Sequence, residues 1–243
     1  MTFNGQGFDK CEIPSTDKLQ DWLTNSPYKA VNLYIGGVHR ACANSALSSS
    51  YLHTLSSQGW RFIPTWVGPQ ANCSGYYYKI PLNTNDAFNL GISEADAAIE
   101  AAAVLGLTSS DKTGTVIYYD LEAFDTNNAN CVKSAQSFVS GWTYQMRQRG
   151  NLAGVYSRGY ELTYFWSVTN RPDVIWPANW YCSAGPDCSY NQNATVWNVS
   201  GLSNDYWKDH QRIRQYAGDH PETWGETTIN AIDSNVIDGV VAD

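Results

Sequence analysis

Two acidic side chains in one short segment are the strongest signal for chemistry in this sequence. The segment Val116–Glu122 reads Val-Ile-Tyr-Tyr-Asp-Leu-Glu, which is typical of a buried strand with a polar end. Side chains two positions apart share a face of a strand, so Asp120 and Glu122 are predicted to point the same way. Close carboxyl groups repel each other, and this raises the pKa of one of them, as a general acid requires. The alternative is a pair of acids that ends an edge strand and is solvated or caps a helix.

A third acid, Asp9, ends the earlier run Gly5–Lys10. The small residues Gly5 and Gly7 allow close backbone contacts there. If the strands form a barrel, Asp9 and Glu122 are expected at one rim. A strand-ending aspartate is also a common turn or cap residue, and that interpretation stays open.

Aromatic and amide side chains occur together in three later runs, Ile175–Trp180, Arg214–Tyr216 and Ile232–Asn235. Aromatic faces stack on sugar rings, and Asn, Gln and Asp side chains bind hydroxyl groups, so the mixture suits a carbohydrate. The rings make up 14% of the chain, more than a core of this size usually uses, which predicts that some line a surface groove. For any single ring, a place in the core is the alternative.

Several other catalytic chemistries lack their signatures. The sequence has no GxSxG, HExxH or GxxxxGK[ST] motif, and its histidines, His39, His53, His210 and His220, have no metal-ligand spacing. The segment around Asp233 and Asp238 lacks the twelve-residue calcium loop with its terminal Glu. We therefore predict neither a cofactor nor a metal.

Charge and hydropathy exclude two classes of partner. Lys and Arg number 15 against 23 Asp and Glu, a net charge of -8, so nucleic acid is not an expected partner. A phosphodiesterase-type barrel would need a basic or metal-bearing mouth, which the sequence does not offer.

The most apolar segment, Ala97–Leu107, is too short to span a bilayer. We expect a monomer.

The six cysteines are even in number and have no CxxC spacing, which predicts three disulfides and a secreted, extracellular protein. The start Met1-Thr-Phe-Asn4 has neither the basic residues nor the apolar run of a signal peptide. We therefore interpret the sequence as a mature form with an added initiator Met.

Apolar runs that alternate with helical stretches predict a parallel sheet of β/α units. Eight strands in about 240 residues fit one α/β domain over residues 1–243, a (β/α)8 TIM-type barrel with irregular late helices. A doubly wound sheet would more often need five to seven strands and a Gly-rich phosphate turn that is absent here. The predicted strands are Gly5–Lys10, Val31–Gly36, Arg61–Val67, Thr115–Glu122, Leu152–Ser157, Asp173–Ala178, Arg212–Ala217 and Ile229–Val236. The predicted helices are Ser15–Thr24, Asn44–Gln58, Ser93–Leu105 with a cap at Ser93, Asn130–Arg149 and Tyr160–Ser167.

This strand order also predicts how the cysteines pair. Bridged Cα atoms must lie within about 7 Å, so cysteines that follow neighbouring strands are the nearest partners. Among fifteen possible connectivities, the least strained one joins Cys11 to Cys42, Cys73 to Cys131, and Cys182 to Cys188. All three bridges then lie in loops of the same barrel face as the acids.

Four segments together resemble a known family: Gly7-Phe8-Asp9-x-Cys11-x-x-Pro14-Ser15, Tyr34-Ile-Gly36-Gly37, Gly59-Trp60-x-x-x-Pro64-x-x-Val67-Gly68-x-Gln70 and Tyr118-Tyr-Asp120-x-Glu122. They are similar to the glycoside hydrolase-like barrel family known as domain of unknown function 1906, a relative of the glycoside hydrolase family 25 lysozymes. The late runs around Trp176, Gln215 and Asp233 extend the resemblance over nearly the whole chain. Where those lysozymes usually carry Asp-x-Ser after the first strand, this chain has Lys10-Cys11, which weighs against muramidase activity specifically.

The resemblance implies a role for each acid. Glu122 takes the position of the general acid, Asp120 is the neighbour that assists it, and Asp9 and Asp233 are further acids of the pocket. In the leading hypothesis Glu122 is the acid and Asp120 or Asp9 assists it. The residues predicted to bind substrate are Tyr34, Trp66, Gln70, Tyr118, Trp176, Asn179, Trp180, Gln215, Tyr216 and Asp233. Two hypotheses follow: an exported glycoside hydrolase acting on a microbial cell-wall or extracellular polysaccharide, or a catalytically silent glycan-binding barrel.

Overall fold

The computed structural model describes residues 1–183 and 188–243 and places eight strands in one closed barrel. The strands are β1 (Thr2–Asp9), β2 (Tyr28–Gly36), β3 (Arg61–Trp66), β4 (Val116–Asp120), β5 (Leu152–Arg158), β6 (Val174–Ser183), β7 (Arg212–Trp224) and β8 (Thr227–Val240). The helices are α1 (Thr16–Asn25), α2 (Ser49–Gln58), α3 (Thr84–Leu105), α4 (Ala129–Gln148) and α5 (Gly159–Thr163). Strands adjacent in the chain are adjacent in the barrel, and β8 closes it against β1. This confirms the predicted α/β barrel of TIM type.

The direction of β8 corrects the prediction of an all-parallel sheet. Strands β1 to β7 pair in parallel, whereas β8 is antiparallel to both β7 and β1. Only Gly225 and Glu226 separate β7 from β8, and a parallel crossover needs a dozen or more residues. Gly225 has a φ of 62°, a value that suits glycine in this tight turn. The first half of β8 therefore lies at the mouth of the barrel, where the parallel strands end.

The barrel has an apolar layer on each side of its strands, as the alternation along β4 shows. Val116 and Tyr118 belong to the cluster inside the barrel. Ile117, Tyr119 and Leu121 belong to the larger cluster that packs against the helices. Because successive side chains of a strand point to opposite faces, one buried strand supplies both layers.

Two helices, α2 and α3, begin several residues away from their predicted starts. Asn83, not Ser93, caps α3, since its Oδ1 accepts hydrogen bonds from the backbone N–H groups of Asn85 and Asp86 at 2.9 and 3.1 Å. Ser93 lies inside α3, where its hydroxyl donates back to the carbonyl of Asn89. Helix α2 begins at Ser49 rather than at Asn44.

Helices α3 and α4 pack closely because each has a glycine at the contact. A Cβ at Gly91 would lie 2.2 Å from the carbonyl oxygen of Phe138, and one at Gly141 would lie 2.1 Å from that of Phe88. Any side chain at either position would push the helices apart. This contact fixes the wall of the barrel behind β4.

The late part of the chain departs from regular β/α units. The predicted helix Tyr160–Ser167 is shortened to α5, and no further helix occurs in the described residues after it. The connection from β6 to β7 is held by a buried arginine, Arg212, which donates hydrogen bonds to the carbonyls of Ser203, Tyr206 and Trp207. Backbone carbonyls bound to this side chain replace the hydrogen bonds that a helix would make internally.

All three predicted disulfides are confirmed. Cys11 pairs with Cys42, Cys73 with Cys131, and Cys182 with Cys188, with Cα–Cα distances of 5.5, 5.9 and 5.4 Å. Cys11, Cys42 and Cys73 follow β1, β2 and β3, Cys131 lies in the first turn of α4, and Cys182 lies near the end of β6, so the three bridges lie at the mouth end of the barrel. In the described part of the chain no helix has the length and apolar character needed to cross a membrane.

Candidate active site

A cleft of about 510 Å³ opens at the mouth of the barrel and contains four carboxyl groups. Asp9 and Asp120 are the last residues of β1 and β4, and Glu122 follows β4 by two positions on the same face. Asp233 lies on β8 directly opposite Asp9 in the antiparallel pairing of β1 and β8. The structure thus brings the three predicted catalytic acids and Asp233 together.

The segment that carries Asp120 and Glu122 is held from both sides. On one side the buried Gln70 donates from Nε2 to the carbonyl of Asp120 at 2.7 Å and accepts the backbone N–H of Glu122 at 2.8 Å. On the other side the N–H of Leu121 donates to the carbonyl of Tyr156 on β5 at 3.1 Å. Gln70 continues the hydrogen bonding that the strand ladder provides lower down, so both acids keep a defined position beyond the end of β4.

The opposite side of the cleft is a hydrogen-bond network centred on Gln215 of β7. Its Nε2 donates to both carboxylate oxygens of Asp9, at 3.1 and 3.0 Å, and to Asp233 at 3.1 Å. Asn235 donates to Asp9 at 2.7 Å, and the backbone N–H of Asp219 donates to Asp233 at 2.6 Å. Gln215 thus donates to both Asp9 and Asp233, and the other donors to these carboxylates in the described residues are also neutral groups.

Burial dominates the electrostatics of the four acids. It raises the pKa of Asp9, Asp120, Glu122 and Asp233 because a charged carboxylate is poorly solvated there. Repulsion by Asp233 raises the pKa of Asp9 further, and repulsion by Glu122 does the same for Asp120. One oxygen of Asp120, Oδ1, is buried without a hydrogen-bond partner in the described structure. The four carboxyl groups together therefore retain protons at a pH at which isolated carboxyl groups have lost them.

Aromatic side chains form the rest of the wall. Trp176 lies at the base, where its indole N–H donates to Asn235 at 2.7 Å. Trp180 is 44% exposed at the rim, and its indole N–H donates to Oε1 of Gln215 at 2.7 Å. Burial raises the pKa of the Tyr34 phenol strongly, so this hydroxyl stays protonated beside the acids. Such a wall presents flat apolar faces beside hydroxyl and amide groups.

Four residues of the predicted substrate-binding set do not line the cleft. On β3 the inward residues are Ile63 and Thr65, so Trp66 points outward and donates to Glu94 at 2.6 Å. Tyr216 follows the inward Gln215 and points outward for the same reason, because adjacent residues of a strand face opposite sides.

The other two residues, Tyr118 and Gln70, differ from the prediction because they lie deeper than the cleft, and not because their side chains point outward. Tyr118 points inward but lies one layer below the cleft, where its hydroxyl donates to the carbonyl of Val240 at 2.6 Å. Gln70 lies behind the acids and holds their backbone, as described above. The members of the predicted set that line the cleft are Tyr34, Trp176, Asn179, Trp180, Gln215 and Asp233.

Besides Ala123 and Ala178, the sequence analysis missed two polar residues of the cleft, Tyr156 and Arg158 of β5. Tyr156 donates to Oε1 of Gln215 at 3.1 Å. Arg158 pairs with the buried Glu161, and its positive charge lowers the pKa of Glu122, against the larger effect of burial. Tyr156 lies within the predicted fifth strand, where period-two alternation could have assigned it to the inner face, whereas Arg158 lies one residue beyond the predicted end.

The acids of the cleft do not form a metal centre. Across residues 1–183 and 188–243, no three His, Cys, Asp or Glu side chains are arranged to hold a metal ion.

Comparisons with known proteins bear on the chain as a whole. The family model described as "Rv2525c-like, glycoside hydrolase-like domain" matches residues 20–237. A search of curated proteins found no match to the chain.

Three solved structures share the fold at low sequence identity. An uncharacterized protein of B. stearothermophilus has a TM-score of 0.61 at 15% identity, with 96% of this chain and 95% of that chain covered. The catalytic domain of the endolysin ply40 from bacteriophage P40 of Listeria monocytogenes has a TM-score of 0.54 at 14% identity, with 97% and 93% covered. The spore cortex lytic enzyme SleM of Clostridium perfringens has a TM-score of 0.60 at 13% identity, with 96% and 67% covered.

Proposed function

The chain belongs to the Rv2525c-like glycoside hydrolase-like family, and from this premise we propose that it is an exported glycoside hydrolase. Its proposed substrate is a microbial cell-wall or extracellular polysaccharide, cleaved by acid and base catalysis with carboxyl groups. The observation that carries the proposal is the convergence of Asp9, Asp120, Glu122 and Asp233 in one cleft lined with aromatic rings. The three disulfides support export, because such bridges persist in oxidising compartments.

Glu122 is the proposed general acid. It is the acid beyond the end of β4 and is less deeply buried than Asp120, so a glycosidic oxygen can reach it. Burial raises its pKa, which favours the protonated form that a general acid needs. In the reaction this proton passes to the leaving oxygen as the bond to the anomeric carbon breaks. Water supplies the hydroxyl group to that carbon, and its other proton returns to the carboxylate.

The other acids act on the charge that develops during bond cleavage. The anomeric carbon becomes positive in the transition state, and an ionised carboxylate nearby stabilises it. Of the close pair Asp9 and Asp233, Asp9 keeps its proton more strongly, because burial and the charge of Asp233 raise its pKa. Asp233, held by Gln215 and the backbone N–H of Asp219, is therefore the carboxylate that suits this role. Asp120 lies beneath Glu122 and assists it, since a negative charge on either one favours the proton on the other.

The sugar itself is bound by the walls of the cleft. Trp180 offers an exposed ring for stacking, and Trp176 and Tyr156 lie deeper. The Tyr34 hydroxyl and the Asn179 amide add polar contacts. This division between flat apolar faces and a few polar groups is common in carbohydrate sites.

The deciding experiment compares Glu122→Gln with the native protein on a panel of cell-wall preparations and polysaccharides. Release of reducing ends should fall by about 10²–10⁴-fold, the usual contribution of a general acid. Glu226→Gln, an exposed glutamate in the turn between β7 and β8, is the matched control and should keep full activity. Equal activity of the native protein and Glu122→Gln on a cleaved glycan would remove Glu122 from the mechanism.

The same panel separates catalysis from simple binding. If the native protein binds a glycan and releases no reducing ends from any glycan that it binds, the barrel is a glycan-binding protein without turnover. Isothermal titration of soluble oligosaccharides alongside the activity assay makes this distinction.

A further inference from the structure

The outer face of β7 carries two buried arginines, Arg212 and Arg214, which are only 1% and 3% exposed. Neither forms an ion pair with a carboxylate of the described residues. Burying a guanidinium without a counter-charge costs stability, so its partners must be neutral acceptors placed around it. For Arg212 these are loop carbonyls, as described above.

Arg214 differs because it holds one residue of the cleft by two contacts. Its Nε donates to the backbone carbonyl of Asn179 at 3.0 Å, and its Nη2 donates to Oδ1 of the same Asn179 at 2.9 Å. Its Nη1 donates to the hydroxyl of Tyr181 at 2.8 Å, and the guanidinium carbon Cζ lies 4.2 Å from the centroid of that ring. The Asn179 side chain is thus held from behind the wall of the cleft.

These contacts engage the oxygen of the Asn179 amide and leave its nitrogen for a ligand. A guanidinium has only donors, so the amide must present its oxygen to Arg214, and Oδ1 also accepts the N–H of Ser200 at 3.4 Å. The amide nitrogen Nδ2 has no acceptor among the described residues, and Asn179 lines the cleft beside Trp180. The nearby positive charge polarises the amide, which makes the N–H groups of Nδ2 stronger donors.

We propose that Arg214 is a positioning residue that reserves the Asn179 amide as a hydrogen-bond donor for the sugar stacked on Trp180. The ligand group is an acceptor oxygen of that sugar, a hydroxyl or an amide carbonyl. This inference rests on the proposed function, since it assigns a subsite of the same cleft. It makes Arg214 a determinant of affinity although the side chain does not line the cleft.

The test uses the Glu122→Gln background so that no ligand is consumed, with cellohexaose and chitohexaose as the two probes. Cellohexaose offers hydroxyl oxygens, and chitohexaose also offers amide carbonyls, so the better ligand identifies the acceptor. Arg214→Met should weaken binding of that hexasaccharide by about 3- to 10-fold, the loss expected for one hydrogen bond. Asn179→Asp should weaken it more, because a carboxylate cannot donate, and Arg214→Lys should recover part of the affinity.

Arg212→Met is the matched control, a buried arginine on the same face that does not contact Asn179. If it weakens binding as much as Arg214→Met, Arg214 has only a structural role and the proposal is overturned. A second arm needs no glycan: the ¹⁵N–¹H signals of the Asn179 side chain should shift in Arg214→Met and not in Arg212→Met. Unchanged signals in Arg214→Met overturn the proposal, whereas failure of both hexasaccharides to bind alongside a shifted signal counts against the proposed function for these glycans instead.

Discussion

Replacing Gln70 by alanine tests how the two acids after β4 are positioned. Gln70 makes three hydrogen bonds through its buried side chain, to the carbonyls of Gly68 and Asp120 and from the N–H of Glu122. Each buried hydrogen bond contributes about 1 kcal/mol, and a partner left unsatisfied costs up to about 3 kcal/mol. We expect Gln70→Ala to lower the free energy of unfolding by roughly 2–4 kcal/mol, which corresponds to about 5–15 °C in a chain of this size.

Activity should fall by more than stability explains. Without Gln70 the segment Asp120–Glu122 loses its hydrogen bonds on one side and keeps the one from Leu121 to Tyr156 on the other. A displacement of about 1 Å in a catalytic group costs on the order of 10²-fold in rate. The assay is release of reducing ends from a cleaved glycan, at a temperature at which thermal unfolding shows the variant fully folded.

Two further variants sharpen this test. Gln70→Glu keeps the acceptor for the Glu122 N–H but places an ionised oxygen against the carbonyls of Gly68 and Asp120, so it should recover stability only at acidic pH. Gln136→Ala removes one hydrogen bond to the carbonyl of Tyr164 on the surface of α4 and should cost less than about 0.5 kcal/mol. A Gln70→Ala protein as stable and active as Gln136→Ala would refute the reasoning.

Two other expectations concern stability. Burial and the neighbouring Glu122 raise the pKa of Asp120 in the folded state. Between the pKa values of the unfolded and folded states, the folded state therefore binds more protons. The free energy of unfolding then falls as the pH rises through that range. Asp120→Asn should therefore be about 1 kcal/mol more stable than the native protein at pH 7, by thermal unfolding. This advantage should vanish at acidic pH, where Asp120 is protonated in both states; an equal gain at every pH would contradict the burial argument. The Cys73–Cys131 bridge closes a loop with a sequence separation of 58, so its removal by paired Ser substitutions should cost about 4 kcal/mol in guanidinium unfolding. Mass mapping of unreduced peptides checks the pairing, and a free thiol at either position would contradict it.

The sequence by itself determined the elements and the acids that their ends carry. Alternation along Val116–Glu122 predicted the face shared by Asp120 and Glu122, and the structure has Val116 and Tyr118 on the inner side of β4. The eight apolar runs predicted the barrel, and strand order then predicted the cysteine pairs. These features depend on the period of a strand and on which elements are neighbours, which are local properties of the chain.

The predictions for Tyr216 on β7 and Trp66 on β3 did not follow this alternation. Gln215 and Tyr216 were predicted together as cleft residues, although adjacent residues of a regular strand point to opposite faces. The structure has Gln215 inside and Tyr216 outside, and Trp66 is outside because Thr65 is inside. For these positions the information was present in the sequence.

Only the tertiary structure decided how distant side chains meet. Asp233 lies opposite Asp9 because the short turn after β7 reverses β8, which the sequence analysis took as parallel. Arg214 controls Asn179 because the strand register of β6 and β7 brings an outward side chain behind an inward wall. The direction of a side chain follows from its own backbone, but its partner depends on register, bulges and closure of the whole barrel. Those are set by packing between segments far apart in the chain.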